Sequence, residues 1–408
     1  MELTHHTISD RSLFEKQLLY YFKKFKNVAF LNSNNSEKRN LFAVSNTTKI
    51  EDKGWKFGFI TYDYKNKIEN LTSANFDGIQ FPEKHFFTPE LLFELNESVV
   101  DIHYKGTVYS KLVIDTIVKE IKAVNTAKSH LDAISVTPRI SKETYIDNVK
   151  ALKKHIQLGD IYEVNYCQEY FAENADVTPE LIYEKLNEKS PTPFSCFIKC
   201  DDKYLMSATP ERFIQKTDNK IISQPIKGTI RRGKTKEEDN QLKQELFNDV
   251  KERSENVMIV DLVRNDLSKI AERGTVNVDE LCGIYTFPQV HQMISTVSAK
   301  LNNSISFDET IEATFPMGSM TGAPKIRAME LIEQFETTKR GLYSGTVGYI
   351  NSQGNYDFNV VIRSLQYNQK DNYLSFIVGG AITALSEPEK EYDECLLKAK
   401  AMLEVLGN

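Results

Sequence analysis

From residue 141 onward the chain switches repeatedly between a helical period and strand-like runs, and the strands arrive in hairpin-like pairs. Tyr145, Val149, Leu152 and Ile156 recur at helical spacing behind Ser141, a residue type that caps helix starts, and Gly159 and Asp160 end the run. Residues 161–168 then alternate as a strand does. Tyr162, Val164 and Tyr166 share one face; Glu163 and Asn165 share the other, which faces either solvent or a cleft. Further strands are predicted over 197–199, 340–349, 356–367 and 373–378. Helices are predicted over 237–266, with a break, and over 325–335 and 389–406. Paired strands punctuated by helices point to a layered α+β fold instead of a regular βαβ series.

The first part of the chain reads as strands at 28–31 and 57–62 among polar connections, with a longer connection over 125–134. Pro138-Arg139-Ile140 marks a change of texture, so residues 1–140 form a variable N-terminal part and 141–408 the more informative region. With 408 residues, 40% of them hydrophobic, the chain can build two domains or one large duplicated body. Its five cysteines form no Cys-x-x-Cys pair, which argues against a disulfide framework and a zinc knuckle. A net charge of -6 and only short basic runs, such as Arg231-Arg232-Gly233-Lys234, argue against nucleic acid as a partner. No window of 18 apolar residues and no signal-like start is found, so a cytoplasmic protein without a membrane span is expected.

Several residue groups carry possible chemistry. Lys227, in Pro225-Ile226-Lys227-Gly228-Thr229, becomes a nucleophile if its surroundings favour the neutral amine; otherwise it is a surface lysine in a turn. Glu252 and Glu255 lie three apart on one predicted helix, as do Glu391 and Glu394 on another. One carboxylate from each helix suits magnesium, which takes oxygen ligands and water; the alternative is two solvated faces. The run Val257-Met258-Ile259-Val260 suggests that the first of these helices enters a core. Arg363, read inside a strand, needs either a substrate carboxylate or an internal salt bridge. Gly379-Gly380-Ala381 reads as a turn after a strand whose N–H groups can approach an anion. The loop from Gly318 to Lys325 resembles a phosphate loop but fails the Walker spacing, so ATP is not implied.

Taken together, these segments resemble the chorismate-utilising enzymes of the anthranilate synthase component I type. The matching stretches are Gly159-Asp160-Ile161-Tyr162-Glu163-Val164-Asn165, the Lys227 segment, Asp261-Leu262-Val263-Arg264-Asn265-Asp266-Leu267, the Gly318 loop, Arg363 and Glu391-Tyr392-Asp393-Glu394. The resemblance is dense over 140–408 and thin before it, chiefly around Trp55. It implies two antiparallel sheets packed together with helices outside, and an N-terminal part interleaved with the main body.

It also implies roles. Glu255 and Glu394 would hold Mg2+; Thr229, Tyr343, Arg363, Lys398 and the backbone at Gly379 and Ala381 would hold chorismate; Glu211 would protonate the departing C4 hydroxyl. Lys227 is similar to the lysine that, in the C4-aminating branch, attacks C2 before ammonia adds at C4. The anthranilate-forming branch carries a small residue there, and the water-adding branch uses a lysine where this chain has Glu163. The implied product is 4-amino-4-deoxychorismate, leading to 4-aminobenzoate and folate, with anthranilate synthesis as the alternative. No Cys-His-Glu glutaminase region is apparent, so ammonia would come from solution or a separate glutamine amidotransferase subunit. One departure is Gln292, where relatives often carry histidine: an amide orients by hydrogen bonds but does not exchange protons near neutral pH.

Overall fold

The computed structural model describes residues 1–35, 40–126, 132–302 and 304–407. Among them, two large sheets hold all the strands, one of 12 strands and one of nine. Every ladder in both is antiparallel, as the α+β reading requires. Ala29, Leu41, Ala43, Ile198 and Leu205 of the larger sheet form one apolar cluster with Phe57, Phe59 and Val347 of the smaller, so the sheets pack face to face. The outer face of the larger sheet is covered by helices through Leu18, Ile114, Tyr145, Ile182, Ala328 and Met402. On the smaller sheet the helical cover comes from Val260, Leu267 and Ile311. No helix of the described residues is long and apolar enough to cross a membrane.

Strands from before residue 140 enter both sheets: Asn27–Asn32 pairs with Ser195–Cys200 in the larger, and Lys56–Ile60 pairs with Thr346–Ile350 in the smaller. Of the predicted connection over 125–134, residues 127–131 lie outside the described residues. The helix Lys142–Gln157 starts as its sequence requires: Ser141 accepts a hydrogen bond from the Thr144 N–H, and Tyr145, Val149 and Leu152 are buried. The predicted helix over 237–266 is two, Lys236–Asn248 and Val250–Ser268, with Asp249 as the hinge and as N-cap of the second.

Four strand readings need correction. The run 356–367 is not one strand: Tyr356–Asn359 belongs to the smaller sheet and Ser364–Asn368 to the larger. Between them the chain changes sheets, so Arg363 lies in the crossover, at φ 49°, and not inside a strand. Residues 340–345 are a turn, and the strand begins at Thr346. Gly379-Gly380-Ala381 is not a turn but the end of the strand Tyr373–Ile382, paired with Cys167, Tyr166 and Asn165. Finally, Tyr162 precedes the strand Glu163–Ala172 and is exposed, whereas Glu163 and Asn165 are buried. The face left open by the sequence is therefore an interior wall.

Candidate active site

The site gathers where the strands Ile226–Arg231, Glu163–Ala172 and Tyr373–Ile382 approach the helices Val250–Ser268 and Pro388–Val405. A β-bulge lies between Ile226 and Thr229, and Gly228 sits there at φ +95°. That left-handed conformation suits glycine, and a Cβ would lie 3.2 Å from Glu252 Oε2. The bulge turns Lys227 inward, where its Nζ donates to Glu163 Oε1 at 2.8 Å. Glu163 is fully buried, and among the described residues its Oε2 has no hydrogen-bond partner.

Burial alone would lower the lysine pKa, but Glu163, Glu255 and Glu211 together raise it above its ordinary value. The resting protein therefore holds Lys227 as an ammonium. The condition set by the sequence, surroundings that favour the neutral amine, is not met in this state; the reason is the three carboxylates that the fold brings around it. A proton must leave Lys227 before it can attack carbon, and Glu163 is placed to receive it.

Glu211 provides a contrasting carboxyl. It is buried, and desolvation pushes its pKa up to about 7 against the downward pull of the Ser319 hydroxyl, Lys227, the Ile226 N–H and Arg363. Ser319 Oγ donates to Glu211 Oε1 at 2.8 Å. The backbone is pinned on both sides: Glu211 N–H donates to Thr209 Oγ1 at 3.3 Å, and Val360 N–H donates to the Glu211 carbonyl at 3.0 Å. A carboxyl that titrates near neutrality and is held in one position is suited to general acid work.

The loop carrying Ser319, the one that resembled a phosphate loop, is pressed onto the start of the Glu163–Ala172 strand. Gly322, at φ +144°, makes this approach possible, since a Cβ there would come within 2.1 Å of the Glu163 carbonyl oxygen. The loop therefore supplies a hydroxyl to the acid, a role that its glycine spacing did not reveal.

On the Val250–Ser268 helix, Asp249 caps the start by accepting from the Glu252 N–H. One residue beyond Glu255, the Asn256 side-chain Oδ1 accepts from the Ser295 hydroxyl, fixing the helix against the sheet. Glu255 is buried, its Oε1 has no hydrogen-bond partner, and burial first, then Glu163 and Glu252, raise its pKa to about 7 in spite of Lys227 and Lys251. On the Pro388–Val405 helix, burial pushes the Glu394 carboxyl up, but pairing with Lys398 at 2.7 Å more than offsets this and holds it low. Lys398 Nζ also donates to the Gly379 carbonyl at 2.9 Å.

Among the described residues no group of three or more His, Cys, Asp or Glu is assembled to hold a metal. Magnesium does not need three: it usually keeps several waters and takes one or two carboxylates plus substrate oxygens. The orphaned, buried oxygen of Glu255 fits that requirement.

Arg363 has no ion pair and no hydrogen bond to its guanidinium among the described residues. Of the two readings open to it, the internal salt bridge is not made; it feels Glu211 only through space, and burial lowers its pKa. A left-handed, non-glycine residue carrying a half-buried cation without a partner among the described residues has the chemistry to pair with a carboxylate. Tyr343 is buried with its hydroxyl 3.8 Å from Cys167 Sγ, beside the Gly379 pairing position. Ala381 pairs with Asn165. Thr229 is exposed, with Gln292 Nε2 at 3.5 Å from its hydroxyl.

Residues 8–404 match the sequence family described as chorismate binding enzyme. This chain belongs to that family. Among its relatives is the chloroplastic aminodeoxychorismate synthase of Arabidopsis thaliana, 35% identical over 85% of this chain and 40% of that protein. Another is anthranilate synthase component 1 of Acetivibrio thermocellus, 34% identical over 86% of this chain and 75% of that protein. The chain thus spans well under half of the first relative and three quarters of the second. The anthranilate synthase component I structure from Streptococcus pneumoniae superposes with a TM-score of 0.77 at 24% identity, covering 99% of this chain and 92% of that one. At that identity the likeness concerns the fold of the chorismate binding enzymes, not the reaction.

Proposed function

We propose that this chain aminates chorismate at C4 to give 4-amino-4-deoxychorismate, with Lys227 as a covalent nucleophile. The observation that carries the reading is the position of Lys227, inside the site and 2.8 Å from a buried carboxylate that can take its proton. Arg363, Lys398 and the backbone at Gly379 and Ala381 bind the substrate carboxylates, with Tyr343 and Thr229 at the edges. Glu255 and Glu394 are the residues that hold Mg2+. When bound there, the ion offsets substrate carboxylate charge and cancels part of the field that keeps Lys227 protonated.

Glu163 accepts a proton from Lys227, and the free amine adds to C2 as the C4–oxygen bond breaks. Glu211, protonated in the resting state, gives its proton to the leaving hydroxyl, which departs as water. Ammonia then adds at C4 and the C2–nitrogen bond breaks. The new amine returns its proton to Glu211, and Lys227 recovers its own from Glu163, so the site is reset.

Ammonia reaches the site from solution or from a separate glutamine amidotransferase; the designation component 1 in the Acetivibrio relative supports a two-component arrangement. The product would serve 4-aminobenzoate and folate synthesis. A second reading is anthranilate formation, in which ammonia adds at C2 and Lys227 makes no covalent bond. The comparisons lean toward it, because the Acetivibrio anthranilate synthase component 1 is matched over 75% of its length and the Arabidopsis aminodeoxychorismate synthase over 40%. The placement of Lys227 favours the first. Incubation with chorismate, ammonium chloride and Mg2+ separates them: the first reading expects 4-amino-4-deoxychorismate with no fluorescent anthranilate. Anthranilate as the main product rejects it.

A further inference from the structure

Lys251 lies one turn before Glu255 on the Val250–Ser268 helix, and its ammonium spans the acidic seam. Its Nζ is 3.9 Å from Glu255 Oε1 and 3.9 Å from Glu391 Oε1 on the Pro388–Val405 helix. Those are ion-pair separations, too long for hydrogen bonds. Glu252 and Glu394 act on the same ammonium through space. Two helices thus bring four carboxylates around one cation.

The neighbouring lysines are held differently. Lys227 donates to Glu163 at 2.8 Å, and Lys398 to the Gly379 carbonyl at 2.9 Å. Among the described residues Lys251 has no hydrogen bond to its ammonium, and 39% of its side chain is exposed. The oxygen it approaches, Glu255 Oε1, is buried and also without a hydrogen-bond partner. A loosely held cation and an unsatisfied anion therefore share one position.

We propose that Lys251 is a tethered counter-ion: it holds the Glu255 and Glu391 carboxylates together in the metal-free protein, and a divalent cation bound at Glu255 displaces it. The inference rests on the reading of Glu255 as a metal ligand. Its physical basis is a competition for the Glu255 carboxylate, which the ammonium and the metal share. Magnesium carries two charges and binds carboxylate oxygen at about 2.0–2.1 Å, so it outcompetes an ammonium at ion-pair distance. Lysine has a flexible stem and a strongly hydrated head, so it can swing into water once displaced. A substrate carboxylate adds a ligand on the metal side only, which makes metal and substrate binding mutually favourable.

Mn2+ serves as the probe, read by electron paramagnetic resonance titration of the purified protein with and without chorismate, together with the melting temperature. Lys251→Met is expected to bind Mn2+ about tenfold more tightly than the parent protein without chorismate, the effect of removing one competing cation. Its metal-free melting temperature falls, and Mn2+ restores it. Lys251→Arg keeps the weak binding. Should Lys251→Met fold poorly, Lys251→Gln is titrated instead. Equal Mn2+ affinities and equal metal-free melting temperatures in parent and variant overturn the proposal. Absence of Mn2+ binding in every protein, even with chorismate, removes the metal reading of Glu255 and the proposal together. Tighter Mn2+ binding by the variant with anthranilate as product leaves this inference standing and removes C4 amination.

Discussion

Two buried ion pairs lie against the same strand, Glu163–Ala172, and they are built to opposite standards. The Arg340 guanidinium makes five hydrogen bonds: two to Glu336, and one each to the Met320 carbonyl, the Asn165 carbonyl and the Ser344 hydroxyl. Glu336 accepts from the Cys167 N–H as well. Lys227 has a single bond to Glu163, and Glu163 Oε2 has none. A fully satisfied buried network rigidifies the structure around it, whereas an under-satisfied one leaves charge available for a ligand or a proton. Arg340 thus locks the Ser319 loop, the strand and the Tyr343 turn in place, whereas Lys227 is held by one hydrogen bond.

If that contrast is right, substitutions at the two pairs should separate activity from stability. Lys227→Ala is expected to lose formation of the C4 amine by several orders of magnitude. Rapid-quench mass spectrometry should then show no substrate-sized adduct on the protein, while the parent shows one; unchanged turnover removes the covalent route. Arg340→Met should instead leave Glu336 buried without its partner and cost about 3–5 kcal/mol of stability, read in a urea titration. An Arg340→Met protein of normal stability would make the two pairs equivalent after all.

Glu211→Gln should lower kcat roughly 10²–10⁴-fold, the usual contribution of a positioned acid, without a comparable loss of stability. The same residue sets a pH signature. Its carboxyl titrates at about 7 in the folded protein against an ordinary 4.5, so the folded state keeps a proton that the unfolded chain releases. Its contribution to stability therefore falls as pH rises through that window, and the acid-dependent rate declines above about pH 7. The variant should flatten both trends.

The smallest effect is expected from Ser319→Ala. Removing the hydroxyl takes away a hydrogen bond that holds the Glu211 pKa down, so the declining limb of the pH–rate profile moves upward. The stability cost is about 1 kcal/mol, that of one ordinary hydrogen bond. A limb that stays in place would show that the hydroxyl only positions the loop.

Much of the fold was legible where local chemistry and burial agree. Ser141 announces a helix because its hydroxyl satisfies an N–H that the helix itself cannot, and residues 325–335 carry a helical period that the helix Lys325–Phe335 reproduces. The crossover at 360–363 was not legible. Val360, Val361 and Ile362 are strand formers on either reading, so nothing local records that the chain leaves one sheet and joins the other. Gly379 and Gly380 read as a turn for a similar reason: glycine signals bends, but here it lies in a ladder facing Cys167 and Tyr166. Lys251 was overlooked although it stands four residues before Glu255, because the spacing of a surface ion pair is also that of a cation site.

The sequence by itself determined the α+β class and the family, because those follow from residue types and their short-range order. Only the tertiary structure decided the states of the ionisable side chains. Lys227 is charged because Glu163, 64 residues away, lies against it; Glu211 titrates near neutrality because burial removes its water; and among the described residues Arg363 has no internal partner. Charge state depends on distance through space and on lost solvent, and neither is written in the order of residues along a chain.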